Sequence, residues 1–531
     1  MDPIFPKQFW STSQAKKVGS LQKLILVSLV ISGIVSIFRF GDWWFREEHL
    51  GNLVLFVILS VTLWYGMLRL ITIWINYLGI NKPEFREAPN GLSVAIFTTS
   101  SPGEPLSMFE KTLKACSLIH YPHTTYLLDD TQDPRFREVA EKHGAVWLEL
   151  VGLPGAKAGK INAALNQTSE EFILVLDPDH VPFPNFLDQT LGFFSDPEVG
   201  FVQVSQGYYN QYRSFTAKAA AEQTYTFYGP TQMGMDGYNC SVAIGANCTF
   251  RRKALESIGG HGIGLAEDLV TSIRIHAAGW KSIYYPVIVA RGLVPEDFGS
   301  FCKQQLKWAR GVYEVLFDEL PRLVGKLSFW QKLSYFTIGT YYLEGLVSVV
   351  YLLIPFLFFW FDLLPAKMHF VEFLEFGFPV LFFSTVIYVY VQQWLCFPSD
   401  ESGLHWRGMV MKFACWPVYL MGFLLALANK KIPYIPTAKQ SVRGKISPFA
   451  KPLLIQVVAY LITVIYLIYS RKFNLSELDL IETAEITYGM LAFGTIPFLM
   501  ALLGLYSVWE SSRLNPESPW EKIPKNLDPK P

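Results

Sequence analysis

The sequence predicts an α/β domain on a Rossmann-like, doubly wound mixed sheet, inserted into an α-helical membrane region. Three observations carry this. The 531 residues are 51% hydrophobic and only 17% charged, against roughly 25% charge in soluble domains. Six apolar stretches are long enough to span a bilayer. Between the second and third of them, β-rich and helix-periodic runs alternate. Lys plus Arg equals Asp plus Glu, 45 each, so no global field gathers nucleic acid and no acidic excess selects a cationic partner. The six cysteines, Cys116, Cys240, Cys248, Cys302, Cys396 and Cys415, contain no CxxC pair and read as reduced and structural.

The apolar stretches are 21–38, 53–78, about 334–362, 371–396, 452–470 and 486–508. Lys7, Lys16 and Lys17 precede the first, which has no A-x-A-like cleavage site and is followed at once by a second. It therefore reads as a retained anchor with a cytosolic N-terminus. Lys82 and Arg86 follow the second stretch, while the loops 41–50 and 471–485 are predominantly acidic, which puts the long middle segment on the cytosolic side. The stretch 409–428 has Trp406 and Arg407 before it and Lys430 and Lys431 after it. Cytosolic flanks at both ends favour a helix lying in the membrane interface; a seventh span would invert everything after it.

Within the insert, the strand-like runs are 93–99, 125–129, 145–150, 172–177 and 199–204, separated by periodic segments such as FREVAEKHG. Doubly wound sheets bind ligands beyond the carboxyl ends of their strands. Acids stand there twice: Asp129-Asp130 after the second run and Asp177-Pro178-Asp179-His180 after the fourth. Carboxylates at i and i+2 can hold Mg²⁺ or Mn²⁺ against a diphosphate, since these ions favour oxygen ligands. Alone, the pattern is explained as well by a solvated strand-end turn. His180 is a further ligand or, the favoured reading, a hydrogen-bonded loop histidine. Asp268, in GLAEDL, is a helix cap or a base for an acceptor hydroxyl. Gln304, Lys307 and Trp308 fall at i, i+3 and i+4, so one helix face presents an amide, a cation and an indole; singly, the indole reads as a core or interface residue.

Taken in order, DD (129–130), DPD (177–179), AED (266–268) and QQLKW (304–308) resemble the D, DxD, TED, QxxRW signature of processive family 2 glycosyltransferases, above all bacterial cellulose synthase catalytic subunits. Hyaluronan and chitin synthases share it. KAGKINAAL (157–165) looks like the family's KAGN-N-AL segment, and YIPTAKQ (434–440) like its gating loop. The resemblance implies a GT-A-type domain, a UDP-sugar donor, Mg²⁺ or Mn²⁺, and a growing β-glycan as acceptor, threaded through the spans. Asp129 would meet the uracil end of UDP, with Lys157 near the nucleotide. Asp177 would contact nucleotide and metal, and Asp179 would be the main metal ligand. Asp268 would be the base. Gln304, Trp308 and Glu267 would bind the acceptor, Lys307 and Arg310 would lie near the diphosphate, and Thr437 and Lys439 would close over UDP. WARG after QQLK resembles cellulose synthases more than hyaluronan synthases, which implies UDP-glucose as donor and leaves the linkage open.

Several positions depart from the family pattern. Ala266 stands for Thr, Lys307 for Arg, which removes a planar fork, and SSPGEP (100–105) stands where the family has an aromatic that stacks on the base. Residues 1–88 are expected to form the N-terminal segment and two spans, and 89–325 the cytosolic transferase domain. The C-terminal membrane part is 326–510, with an interfacial helix at about 405–430 and the gating loop at about 433–447; 511–531 form a cytosolic tail. About 23 residues beyond the last span leave no room for the family's cyclic-di-GMP-binding PilZ domain, whose control is expected to be absent. The plasma (inner) membrane is the expected location, with the bilayer and accessory or export subunits as partners and no nucleic acid. Two other functions compete: a glycolipid synthase adding one sugar to a membrane lipid, and a transport or scaffold protein with an inactive transferase domain. The intact acids argue against the last.

Overall fold

The computed structural model describes residues 11–430, 432, 447–469 and 480–514. Thr437, Lys439 and all of the expected gating loop except Ser447 lie outside them, as do the loop 471–479 and the tail from 515.

The insert is built on one mixed sheet of β2 (Val94–Thr99), β3 (Thr124–Asp129), β4 (Val146–Glu149), β5 (Phe172–Leu176), β6 (Val181–Pro182), β7 (Val199–Tyr208), β8 (Cys248–Arg251) and β9 (Lys281–Gly292), to which the N-terminal segment adds β1 (Ser13–Gln14). The spatial order is β1-β9-β7-β8-β5-β2-β3-β4, with β6 also paired to β9. β2, β3, β4 and β5 run parallel, joined by the helices Leu106–Cys116, Pro134–Lys142 and Ala156–Leu165. β8 is antiparallel to both β5 and β7. Every residue of β2, β5 and β7 is buried, as expected of strands covered on both faces, whose sequences are apolar runs and not alternations.

The five expected strands are present with ends shifted by one residue or less, except that β7 runs on to Tyr208. β1, β6, β8 and β9 lie outside the expected runs. CTFR is short and half polar, and KSIYYPVIVARG carries a proline that argues against a central strand. Pro286 is tolerated because β9 bulges there: Tyr285 pairs with Val204 but Ile288 with Ser205, leaving Pro286 and Val287 out of the ladder with β7, while on the other edge Val287 pairs with Gln14 of β1.

Among the described residues, six helices are long and apolar enough to cross a membrane: Ser20–Trp44, Leu53–Leu78, Phe329–Phe361, Val371–Trp394, Pro448–Tyr469 and Ile486–Ser511. They correspond to the six apolar stretches. Leu21, Phe38, Leu381 and Ile455 are each more than 60% exposed, a surface suited to lipid and not to water. The stretch 409–428 is not one straight helix. Trp406–Ala414 and Trp416–Leu427 meet at 48°, at Cys415, with Pro417 in the first turn of the second. The first of the pair docks on the helix Phe215–Thr226 of the insert, where Glu222 accepts the Gly408 amide at 2.9 Å and pairs with Arg407 at 3.3 Å. All six cysteines are free and buried.

Glycines set how closely the sheet domain sits on the second apolar helix. A Cβ on Gly237 would lie 1.8 Å from the Gly79 carbonyl oxygen, and one on Gly234 would lie 2.3 Å from that of Asn76. Backbone meets backbone there, so neither neighbour can yield. Gly237→Ala is expected to destabilise the chain by about 1–3 kcal/mol through overpacking, read as a lower unfolding temperature in lipid nanodiscs, whereas alanine at Gly325, whose Cβ position is open, should leave it unchanged.

Candidate active site

Asp129-Asp130 and Asp177-Asp179 stand where the parallel strands β3 and β5 end. Asp129 closes β3 and is 1% exposed. Its carboxylate accepts from the Thr131 amide (3.0 Å) and hydroxyl (2.8 Å), from Trp147 Nε1 (3.0 Å) and from the Ser100 hydroxyl. It thus stitches the SSPGEP loop to β3 and β4. Asp130 accepts the Gly152 amide at 3.0 Å and lies 3.7 Å from the buried Lys160 ammonium, whose pKa is lowered by burial.

β5 delivers Asp177 to a tight turn in which the His180 amide donates to the Asp177 carbonyl at 3.0 Å, while the Thr112 hydroxyl holds the Pro178 carbonyl at 2.7 Å. The turn gathers one ligand atom each from Asp177, Asp179 and His180, all within 4.8 Å of one another. Asp179 and His180 are buried. His180 is not a hydrogen-bonded loop histidine: neither ring nitrogen has a hydrogen-bond partner, and Nδ1 lies 3.5 Å from Asp179. An orphaned buried imidazole beside two carboxylates fits a divalent cation of the Mg²⁺ or Mn²⁺ class. Glycine is needed at the end of β9 to admit the ring, since a Cβ on Gly292 would lie 2.5 Å from His180 Nε2.

Lys157 is the second residue of the helix Ala156–Leu165, which begins after Gly155 at φ +90°. Its buried ammonium donates to the Asp177 carboxylate and to the Gly245 carbonyl. Burial opposes the charge, but Asp177, Glu267 and Asp268 together hold the pKa of Lys157 above its ordinary value. For Asp177 burial likewise opposes ionisation, and the Lys157 ammonium prevails, so its pKa is lowered. Gly245, at φ +83°, lies directly under Asp268: a Cβ there would be 3.2 Å from Oδ2. Asp268 stands in the first turn of the helix Glu267–Ala277, beside the buried Glu267. Burial, then the Glu267 charge, push its pKa up to about 7.

Asp297 caps the next helix, Phe298–Glu314, by accepting the Ser300 amide at 2.9 Å. Gln304, Lys307 and Trp308 are half-buried on it, and Lys307 is near enough to Asp268 to favour its ionised form. The helix is pressed onto the AED turn, since a Cβ on Gly311 would lie 2.6 Å from the Ala266 amide nitrogen and 2.9 Å from its Cβ. Ala266, in place of threonine, suits this contact. Arg310 is buried; its Nε donates to the Lys430 carbonyl at 3.0 Å and its Nη1 pairs with Glu314 at 3.1 Å. Here it is a tether from this helix to the end of the bent pair. Glu314, which also receives the Leu265 amide at 3.5 Å, and the glycines at 245, 292 and 311 carried no recognisable sequence signal, because their roles are contacts between distant segments.

Residues 172–398 match the family model described as glycosyl transferase family group 2. The chain is 30% identical over 346 residues to a cellulose synthase catalytic subunit (UDP-forming) of Komagataeibacter sucrofermentans, covering 61% of this chain and 45% of that one. It is 29% identical over 256 residues to the corresponding subunit of Xanthomonas axonopodis pv. citri, covering 46% and 35%. It thus spans less than half the length of these curated relatives. Among solved structures, a mannosyltransferase of Pyrobaculum calidifontis in complex with GDP-Man and Mn²⁺ superposes with a TM-score of 0.50 at 18% identity, over 71% of this chain and 99% of that one, a likeness of fold.

The Asp268 environment carries a pH signature in stability. Its folded pKa, about 7, lies above the unfolded value near 3.9. Its contribution is therefore fully present below about pH 4 and is lost as pH rises through 7. Asp268→Asn should match the wild-type unfolding temperature at pH 4 and exceed it increasingly up to pH 8. A constant difference across that range would mean that the carboxyl is not raised.

Proposed function

We propose that this chain, which carries a family 2 glycosyltransferase domain of the GT-A fold, is a membrane-embedded, metal-dependent inverting glycosyltransferase. It transfers glucose from UDP-glucose to the end of a β-glycan and passes the polymer across the inner membrane, with its sheet domain in the cytosol. The observation that carries the reading is the convergence of Asp177, Asp179, His180, Lys157 and Asp268, with the Gln304-Lys307-Trp308 helix packed against the Asp268 turn. The relatives' names, cellulose synthase catalytic subunit (UDP-forming), support the donor and the polymer.

Asp177, Asp179 and His180 would hold Mg²⁺ or Mn²⁺, whose charge would offset that of the diphosphate. Lys157 and Lys307 add cationic charge on the same side. Trp308 would stack on the terminal sugar of the acceptor, with Glu267 accepting from its hydroxyls and Gln304 accepting from or donating to them. Asp268 would take the proton of the attacking hydroxyl as its oxygen bonds to the anomeric carbon and the bond from that carbon to UDP breaks. Attack opposite the leaving group turns an α-donor into a β-product. A carboxyl near pKa 7 is suited to this, since a base titrating near the working pH accepts a proton readily yet is ionised often enough.

Purified chain in nanodiscs, given Mn²⁺ and a panel of labelled UDP-sugars, should yield a long polymer from UDP-glucose that linkage-specific glycosidases degrade. A single sugar on an extractable lipid would replace the polymer reading with a glycolipid synthase. Asp268→Asn should cut transfer by at least about 10³-fold with UDP affinity within twofold of wild type; normal turnover would remove Asp268 as the base. In the wild type, kcat should rise with pH through about 7 as Asp268 ionises, measured at saturating donor.

A further inference from the structure

We infer that Lys157 is an internal counter-cation that occupies the charge position of the metal at Asp177 until nucleotide arrives, so that metal and nucleotide bind as a pair. This rests on reading the Asp177-Asp179-His180 turn as a divalent-cation site facing a diphosphate.

The Lys157 ammonium is in direct contact with Asp177, one of three groups whose ligand atoms lie within 4.8 Å of one another. Glu267 and Asp268 add negative charge within its electrostatic reach. Without a cation this cluster would be a buried excess of carboxylates, which is costly unless paired. The Lys157 side chain supplies the pairing and is held for it. The Gly245 carbonyl takes a second of its three protons. Its helix is clamped at the first turn, where a Cβ on Gly159 would lie 2.0 Å from the Pro154 carbonyl oxygen.

A divalent cation entering alone must approach this ammonium and compete with it for the Asp177 carboxylate, and like charges at such spacing repel strongly. A diphosphate changes the balance. It offers Lys157 anionic oxygens in exchange for Asp177 and neutralises the metal at the same time. Metal and nucleotide therefore favour each other, and the coupling is reciprocal. A cell holding free metal but no donor leaves the site closed by its own lysine.

The test is Mn²⁺ binding, followed by the EPR signal of free Mn²⁺, with the full chain in nanodiscs. Lys157→Met removes the charge and keeps most of the chain length. It should bind Mn²⁺ alone about tenfold more tightly than wild type, as expected when one adjacent cation is removed, while its affinity for UDP in saturating Mn²⁺ falls about tenfold. A side chain that only held the fold would weaken both. Mn²⁺ affinity equal to or below wild type in a folded Lys157→Met chain overturns the inference. If the variant does not fold, the wild type decides: acetylation of Lys157, read by mass spectrometry, should rise on adding Mn²⁺ alone at high concentration and fall again on adding UDP, and labelling insensitive to Mn²⁺ overturns it. Wild type that binds no Mn²⁺ even with UDP present contradicts the metal site itself.

Discussion

The close approach of Gly311 to the Leu265–Ala266 backbone is the contact on which the rest of the arrangement depends. One helix, Phe298–Glu314, carries the amide, cation and indole of QQLKW on its half-buried side and touches the Asp268 turn through a residue with no side chain. The same helix meets the bent pair 406–427 through Ala309 and Gly422, where a Cβ would sit 2.8 Å from that of Ala309. A single hydrophobic core runs from Val270 and Ile273 behind the Asp268 turn, through Val312 and Tyr313, to Met411, Tyr419 and Leu453 in the apolar helices. Interiors packed this way transmit displacement and do not absorb it. The Asp268 turn is therefore referenced to the same long apolar helices.

Electrostatics impose the second constraint. Asp177, Asp179, Glu267 and Asp268 cluster around Lys157. The two carboxylates respond in opposite directions: the pKa of Asp177, against the ammonium, is lowered, while that of Asp268, beside Glu267, is raised to about 7. One environment thus separates a carboxylate suited to holding a cation from one suited to exchanging a proton. The Arg310–Glu314 pair shows a different use of buried charge. Its members bond to the Lys430 carbonyl and the Leu265 amide and fix backbone segments to one another.

Much of this was legible in the residues. A short apolar run rich in β-branched residues such as FILVL suits a strand covered on both faces, and stretches of twenty or more apolar residues with few charges suit helices in an apolar medium. Acids directly after such strands must stand at the open end of the sheet. β9 was not legible, because its proline is accommodated by a bulge that exists only in the pairing with β7. The break at Cys415 has a local mark in Pro417, whose missing amide ends a helix just before it, but the 48° bend depends on where the two halves pack.

What the sequence by itself determined is the layer architecture, the number of long apolar helices and the residue types available for chemistry, because periodicity and the cost of exposing or burying each side chain are local properties. What only the tertiary structure decided is which of those residues meet. It left the His180 nitrogens without hydrogen-bond partners beside two carboxylates, placed Lys157 on Asp177, turned Arg310 away toward Lys430, and made Gly245, Gly292 and Gly311 indispensable by bringing distant segments within van der Waals contact. Such contacts depend on where separated parts of the chain come to rest, and no local pattern encodes that.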